Sequence, residues 1–113
     1  MRPQDLPLFE HWYRTTNWIL ERSEKFPKHT RFTISSRINT LALEITEDIV
    51  TAIYSRDKRS CLERINMRLE ILRIMFRISH ERRYISHDQY EFISKAINES
   101  GKMTGGWLKS ISH

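Results

Sequence analysis

The feature that most constrains this chain is the spacing of its bulky apolar residues, which recur every three or four positions along most of the sequence. That spacing places them on one face of an α-helix, whereas a half-buried strand would alternate apolar and polar residues. Three glycines and three prolines are also too few for the many turns of an all-β fold. The pattern therefore predicts an all-α protein, and 113 residues fit a single domain.

Breaks in the helical pattern divide the chain into four predicted helices, over about residues 6–24, 34–55, 58–82 and 86–105. Asp5 is expected to cap the first helix, and Pro7 is tolerated in its first turn. Pro27 ends this helix, because proline disfavours helical geometry at the residue before it. In the loop that follows, Phe26 and Phe32 are expected to point inward. Four helices with short connections predict an antiparallel four-helix bundle.

The ends of the later helices carry their own signals. Two segments, Ser60–Glu63 and Ser86–Gln89, fit a capping box, in which two side chains satisfy free backbone N–H groups at a helix start. If the first of these is used, the third helix begins about three residues later than the alternative start near Lys58. The fourth helix is expected to weaken at Gly105–Gly106. With Gly101, these glycines indicate either close approach of another helix or a helix end.

The third helix has two apolar stripes on a helical wheel. The stripe between about 80° and 160° from Arg64 contains Leu62, Ile65, Leu69, Leu72 and Phe76. The stripe between about 280° and 340° contains Met67, Ile71, Ile74 and Ile78. A helix at the surface of a small bundle needs one stripe, so the second predicts an interface between copies of the chain. The alternative is one wide buried face, because single exposed apolar residues are common.

Positive charge is concentrated in the same helix. The net charge is +5, and the segments 1–33, 34–55, 56–83 and 84–113 carry +2, −2, +5 and 0. Two arginine edges separate the stripes of the third helix, and they contain Arg64 and Arg68 on one side and Arg59, Arg73 and Arg77 on the other. Several cations on one surface favour phosphate binding, so we predict an RNA or DNA partner.

A second group of candidate phosphate ligands lies near the first loop and contains Arg14, Lys25, Lys28 and Arg31. The alternative for the charged helix is a solvated face with internal ion pairs, such as Glu70 with Arg73 and Arg77 with Glu81. Charge alone leaves both interpretations open.

The sequence gives little support to cofactor, metal or membrane functions. It contains no glycine-rich nucleotide loop, no HExxH and no CxxC. No apolar run approaches the roughly 20 residues of a membrane span, and the N-terminal residues have no apolar core, so we expect no secretory signal. Cys61 is the single cysteine, which excludes an internal disulfide and fits the reducing cytoplasm. We therefore expect a cytoplasmic protein without a cofactor.

One enzymatic alternative is a ribonuclease of the HEPN class, small helical bundles in which four to six residues separate an arginine from a following histidine. Arg82 with His87 and Arg73 with His80 both meet that spacing. Histidine would transfer protons and arginine would steady the phosphate. However, Ile74 stands where a polar residue usually follows the arginine, and a predicted turn separates Arg82 from His87.

Several segments, in order along nearly the whole chain, resemble one protein family. These are Lys25–Phe32 (KFPKHTRF), Leu69–Phe76 (LEILRIMF), Ile85–Glu91 and Gly101–Trp107. Together they resemble the accessory variability determinant (Avd) proteins of diversity-generating retroelements. Related four-helix proteins encoded in ribosomal-RNA intervening sequences carry an Asn-Ile-Ala-Glu-Gly-like segment in the second helix, and this sequence lacks it.

The resemblance implies a four-helix subunit of a barrel-shaped homopentamer. It also implies two partners, a reverse transcriptase and the template-repeat RNA. The protein would not be the polymerase itself but a non-catalytic subunit needed for error-prone complementary-DNA synthesis. The runner-up is a structural or interaction bundle without a nucleic-acid role.

Overall fold

The computed structural model describes residues 2–111, and this part of the chain folds into four helices without a strand. The helices are α1 Pro7–Ser23, α2 Ile34–Tyr54, α3 Lys58–Glu81 and α4 His87–Ile111. One short 3₁₀ turn, Pro3–Asp5, precedes α1, and a second, Lys28–Thr30, lies between α1 and α2. The all-α prediction is therefore confirmed. Within residues 2–111 no helix combines the length and the apolar character that crossing a membrane requires.

Each helix packs against two neighbours, in the order α1, α2, α3, α4 and back to α1. The molecule measures 45 × 22 × 21 Å, so the helices lie along its long axis. Two ion pairs join α2 and α3 in opposite order along the two helices. Glu44 pairs with Arg68, whereas Asp48, which comes later in α2, pairs with Arg64, which comes earlier in α3.

The core is built from the stripes that the sequence spacing predicts. On α3 the first stripe is buried at every position, namely Leu62, Ile65, Leu69, Leu72 and Phe76. On α1 the indole of Trp12 is fully buried and donates its N–H to the carbonyl of Ala42 at 3.1 Å, which joins α1 to α2. That hydrogen bond removes the cost of burying the indole N–H group.

Side chains cap the starts of α3 and α4. At α4 the Ser86 N–H donates to Gln89 Oε1 at 2.9 Å and the Gln89 N–H donates to Ser86 Oγ at 3.2 Å, as the capping box requires. At α3 the cap is Asp57, which accepts from the Ser60 N–H at 3.2 Å and from its hydroxyl at 2.7 Å. These hydrogen bonds, the one from the hydroxyl foremost, lower the pKa of Asp57 below its usual 3.8. The Ser60–Glu63 alternative is therefore wrong.

Asp5 does not cap α1. It lies in the 3₁₀ turn, where its carboxylate accepts from the Arg2 N–H at 3.3 Å, and α1 begins only at Pro7. The N-cap residue is Leu6, which has no side-chain acceptor. A turn before the helix thus uses the acidic side chain that the sequence suggested for the helix itself.

The two loop phenylalanines point in opposite directions. Phe26 is 6% exposed and packs on Tyr84 with ring centroids 5.7 Å apart, whereas Phe32 is 88% exposed. Beneath the loop, buried Thr30 donates its hydroxyl to the Pro27 carbonyl at 2.7 Å, so a polar turn occupies the inner side. The expectation that Phe32 points inward is therefore wrong.

Helix α4 continues through its glycines to Ile111, beyond the predicted end near residue 105. Three side chains after the glycines, Trp107, Leu108 and Ile111, pack against the core and hold the last turns in place. A Cβ atom added at Gly101 or at Gly105–Gly106 would meet nothing within 4 Å. Within the described part of the chain, no other helix therefore approaches these glycines closely.

Candidate nucleic-acid interface

The first arginine edge of α3 faces α2 and pairs with its acidic residues. Arg64 Nε lies 3.3 Å from Asp48 Oδ1, and Arg68 donates to Asp48 Oδ2 and, at 3.1 Å, to Glu44 Oε2. Arg37 on α2 completes the group, with its Nη1 3.6 Å from Glu44 Oε1. We call these five residues the α2–α3 ion-pair network. It commits both arginines of this edge to intramolecular partners.

Burial makes the network a structural requirement of the fold. The side chain of Asp48 is 9% exposed, and a buried carboxylate without a cation is strongly destabilising. The hydrogen bond from Arg64 to Asp48 raises the pKa of Arg64 above its already high value, so the guanidinium stays charged. Arg64 Nη2 also donates to the thiol of buried Cys61 at 3.4 Å.

The second arginine edge is more open to solvent. Arg73 donates to Glu70 on its own helix and to Asn98 on α4, at 2.7 Å each, and Arg77 donates to Glu81 at 3.2 Å. Both ion pairs considered from the sequence therefore form. Ion pairs at a protein surface contribute about 0–1 kcal/mol, so a phosphate could replace either carboxylate at small cost. Arg59, the third member of this edge, is also exposed.

The second group of candidate cations has no such partners. The side chains of Arg14, Lys25, Lys28 and Arg31 are exposed, and none forms a hydrogen bond or ion pair with any residue from 2 to 111. The last three lie between α1 and α2, where the exposed Phe32 follows Arg31 directly. The structure thus gives this loop three free cations and one aromatic ring in solvent, a composition suited to phosphates and unstacked bases.

A further cationic surface, which the sequence analysis missed, is an open groove of about 670 Å³ between α1 and α4. Arg14, Lys95 and Lys102 line it, and the lysine side chains, like that of Arg14, lack an ion-pair partner among the described residues. The fourth segment has zero net charge, so a sum over the segment gave no signal. The sequence did contain one signal for this surface: Lys95 and Lys102 are seven residues apart, which places both on the same side of a helix.

The four residues in the second apolar stripe of α3 differ in their exposure to solvent. Met67 and Ile74 are 64% and 50% exposed, whereas Ile71 and Ile78 are half-buried and Ile71 packs against the core. Leu43 on α2 is a further exposed apolar residue, and it precedes a member of the ion-pair network. The stripe therefore leaves at least two large apolar side chains in water within one subunit.

The residues of the ribonuclease alternative are occupied elsewhere. Arg82 donates to the Tyr84 hydroxyl at 2.9 Å, and His87 lies 3.4 Å from Glu91. His80 stacks on Tyr90 with ring centroids 4.3 Å apart. Within the described part of the chain, no three His, Cys, Asp or Glu side chains are grouped so that they could hold a metal ion.

Comparisons with known proteins give one positive result. Searches of curated proteins and of solved structures found no match. A protein-family profile described as bAvd-like matches residues 8–111. The match extends from the first turn of α1 to the end of α4, so it spans all four helices and every candidate cationic residue described above. The chain therefore belongs to the bAvd-like family.

Proposed function

We propose that this protein is a non-catalytic accessory subunit of a diversity-generating retroelement, acting in the cytoplasm. In this role it binds template-repeat RNA and a partner reverse transcriptase and supports mutagenic complementary-DNA synthesis. The observation that carries the proposal is the family match over residues 8–111. The free cations of the surface support the nucleic-acid part, because phosphate binding needs clustered charge and no particular motif.

The proposed assembly is a barrel-like homopentamer of antiparallel four-helix subunits. Its interface uses the stripe Met67, Ile71, Ile74 and Ile78 on α3. Exposure of Met67 and Ile74 supports this assignment, since large apolar side chains in water favour a protein partner.

The structure supports the candidate residues of the proposed nucleic-acid surface to different degrees. Arg64 and Arg68 mainly stabilise the fold, because both form ion pairs with Asp48. Arg59, Arg73 and Arg77 remain candidates on the outer edge of α3. The second group becomes the stronger set of candidates, because no described neighbour neutralises the charges of Arg14, Lys25, Lys28 and Arg31. A partner's phosphates would meet these side chains without first breaking an ion pair.

The first test is binding of labelled RNA and of DNA with the same sequence, measured by fluorescence anisotropy between 50 and 200 mM salt. Binding through phosphates predicts a steep loss of affinity as salt rises. The double variant Lys28→Gln with Arg31→Gln should weaken binding. Arg56→Gln with Arg83→Gln removes the same charge from the other two interhelical loops and is the control. Affinity that does not change with salt would contradict the mechanism.

The second test separates the accessory role from a purely structural bundle. The partner reverse transcriptase and the protein are co-expressed, and the purified complex is examined for both proteins and for bound RNA. The accessory role predicts all three components together, with the RNA intact. A complex that forms but binds neither RNA nor DNA at 50 mM salt would favour the structural alternative. A neighbouring reverse-transcriptase gene and template repeat would further support the accessory role.

A further inference from the structure

The groove between α1 and α4 has a floor of small, buried residues. These two helices are the least closely packed of the neighbouring pairs, and the small residues Thr15 and Ala96 lie between its walls. The His11 ring joins the helices there, because its Nε2–H donates to the Ala96 carbonyl at 3.0 Å. Small side chains and this hydrogen bond therefore form the bottom of an open depression between the two helices.

Positive charge lines both walls of this groove. Arg14 projects from α1, while Lys95 and Lys102 lie on α4, seven residues and therefore about 10.5 Å apart along the helix. Glu99 also lines the groove, so these charged residues sum to +2. None of the three cationic side chains has an ion-pair partner among residues 2–111, which leaves the groove with an uncompensated attraction for anions.

An aromatic surface lies at the same place. Phe92 lines the groove and is 50% exposed, and its ring contacts Trp18 with centroids 4.9 Å apart. Trp18 in turn packs against the core, so Phe92 is supported from behind while one part of its ring meets solvent. A ring held in this way is preorganised for stacking with another flat ring.

We propose that this groove binds single-stranded nucleic acid, with phosphates on Arg14, Lys95 and Lys102 and an unstacked base on Phe92. The inference rests on the proposed nucleic-acid function and specifies the form of the nucleic acid. A duplex keeps its bases stacked inside and offers only its backbone, whereas a single strand offers phosphates and ring faces together. The combination of free cations with a supported aromatic ring matches the single strand.

The charge test compares Lys95→Gln with Lys102→Gln against the control pair Arg56→Gln with Arg83→Gln. The probe is a labelled 15-nucleotide oligouridine RNA, with oligothymidine DNA as a second arm. Loss of two phosphate contacts should reduce the slope of log affinity against log salt by about 1.4, and the control pair should leave it unchanged. Equal effects of the two pairs would mean that only net charge matters, and would overturn the assignment to the groove.

The aromatic test uses Phe92→Leu, which keeps an apolar side chain against Trp18 but removes the ring. Affinity for the oligouridine should fall roughly 5- to 150-fold, the range for loss of one stacked base. Phe92→Tyr should restore it, and Tyr54→Leu, at another exposed aromatic residue, should have no effect. Thermal unfolding of each variant checks that the fold is retained.

The outcomes distinguish failure of the groove from failure of the whole function. If the wild-type protein binds neither single strands nor duplexes at 50 mM salt, the proposed function fails and the groove fails with it. If it binds RNA and the Phe92 and lysine variants bind as tightly, the groove alone is wrong. Tighter binding of polyglutamate than of oligouridine to the wild-type protein, unchanged by Phe92→Leu, would point to an acidic peptide and overturn the proposal.

Discussion

The carboxylate of Asp48 accepts a hydrogen bond from Arg64 Nε at 3.3 Å across the α2–α3 interface. Arg68, one turn further along α3, donates to the other carboxylate oxygen. Two arginines that the sequence presents as a free cationic edge are therefore fixed to the neighbouring helix. Their main contribution is to the stability of the subunit, and this can be measured directly.

Replacement of the buried acid should destabilise the fold. Asp48→Asn leaves Arg64 without a charged partner and leaves Arg68 paired with Glu44 alone, and we expect the free energy of unfolding to fall by about 2 kcal/mol. This is less than the roughly 3–5 kcal/mol for a fully buried pair, because both guanidiniums reach solvent. Urea denaturation measures the change. Glu47→Gln, at an exposed acid of the same helix, is the control, and an equal effect of both variants would exclude a structural role for the network.

The cap of α3 should make stability depend on pH in the acidic range. The pKa of Asp57 is lowered in the folded protein, so the ionised cap stabilises the fold above the unfolded value of 3.8. That contribution disappears as pH falls from 3.8 through the folded pKa. Asp57→Asn keeps an N-cap side chain but cannot titrate, so its stability relative to wild type should improve below pH 4. Unfolding measured from pH 2 to 6 tests this, with Glu63→Gln as the control; a constant difference would contradict it.

The two loop phenylalanines should respond differently to truncation. Phe26→Ala removes a buried ring and should lower the free energy of unfolding by about 3–4 kcal/mol. Phe32→Ala removes a ring that is already in water and should change it by less than about 0.5 kcal/mol. Thermal and urea unfolding of both variants would show the contrast. A large loss of stability in Phe32→Ala would mean that this ring is covered, for example by another subunit.

Charge placed on the exposed stripe of α3 should break the proposed assembly. Met67→Glu with Ile74→Glu puts two carboxylates at an apolar interface, and we expect light scattering to show monomers at tens of micromolar protein. Circular dichroism should remain that of the folded bundle, because both side chains are exposed in one subunit. Tyr13→Glu, at an exposed aromatic residue of α1, is the control. A wild-type protein that is itself monomeric would contradict the assembly.

Continuity of α4 through its glycines can be tested with two substitutions at one position. Gly106→Ala should raise the free energy of unfolding by roughly 0.5–1 kcal/mol, since the added Cβ meets nothing within 4 Å. Gly106→Pro should lower it by about 3 kcal/mol, because proline removes a helical hydrogen bond. Equal stability of the proline variant and the wild type would mean that the helix ends near residue 105 after all.

Local features of the fold could be predicted from the sequence. Burial of Leu62, Leu69 and Phe76 follows from helical period, since residues on one face of a helix share one environment. The Ser86–Gln89 cap was equally predictable, because both partners lie within one turn. Phe32 was not, since hydrophobicity does not tell which side of a loop a residue occupies.

The electrostatic character of the surface was harder to predict, because it depends on contacts between helices. Arg68 and Glu44 are 24 residues apart, and nothing in either local pattern indicates that they meet. Lys95 and Lys102 were missed for the opposite reason: acidic residues of the same segment cancel them in a sum, although the lysines share one edge. Counts of charge show that a chain is basic, whereas three-dimensional neighbours decide which cations are free.

The α2–α3 ion-pair network also bears on how copies of a basic chain could come together. Each copy carries +5, so like charges oppose every association, and the opposition grows with the number of copies. On the α2–α3 face, two carboxylates neutralise all but one of the three arginine charges, next to the exposed Met67 and Leu43. Self-repulsion is therefore reduced beside these two apolar residues, and the cations without partners lie on other surfaces that a polyanion can reach.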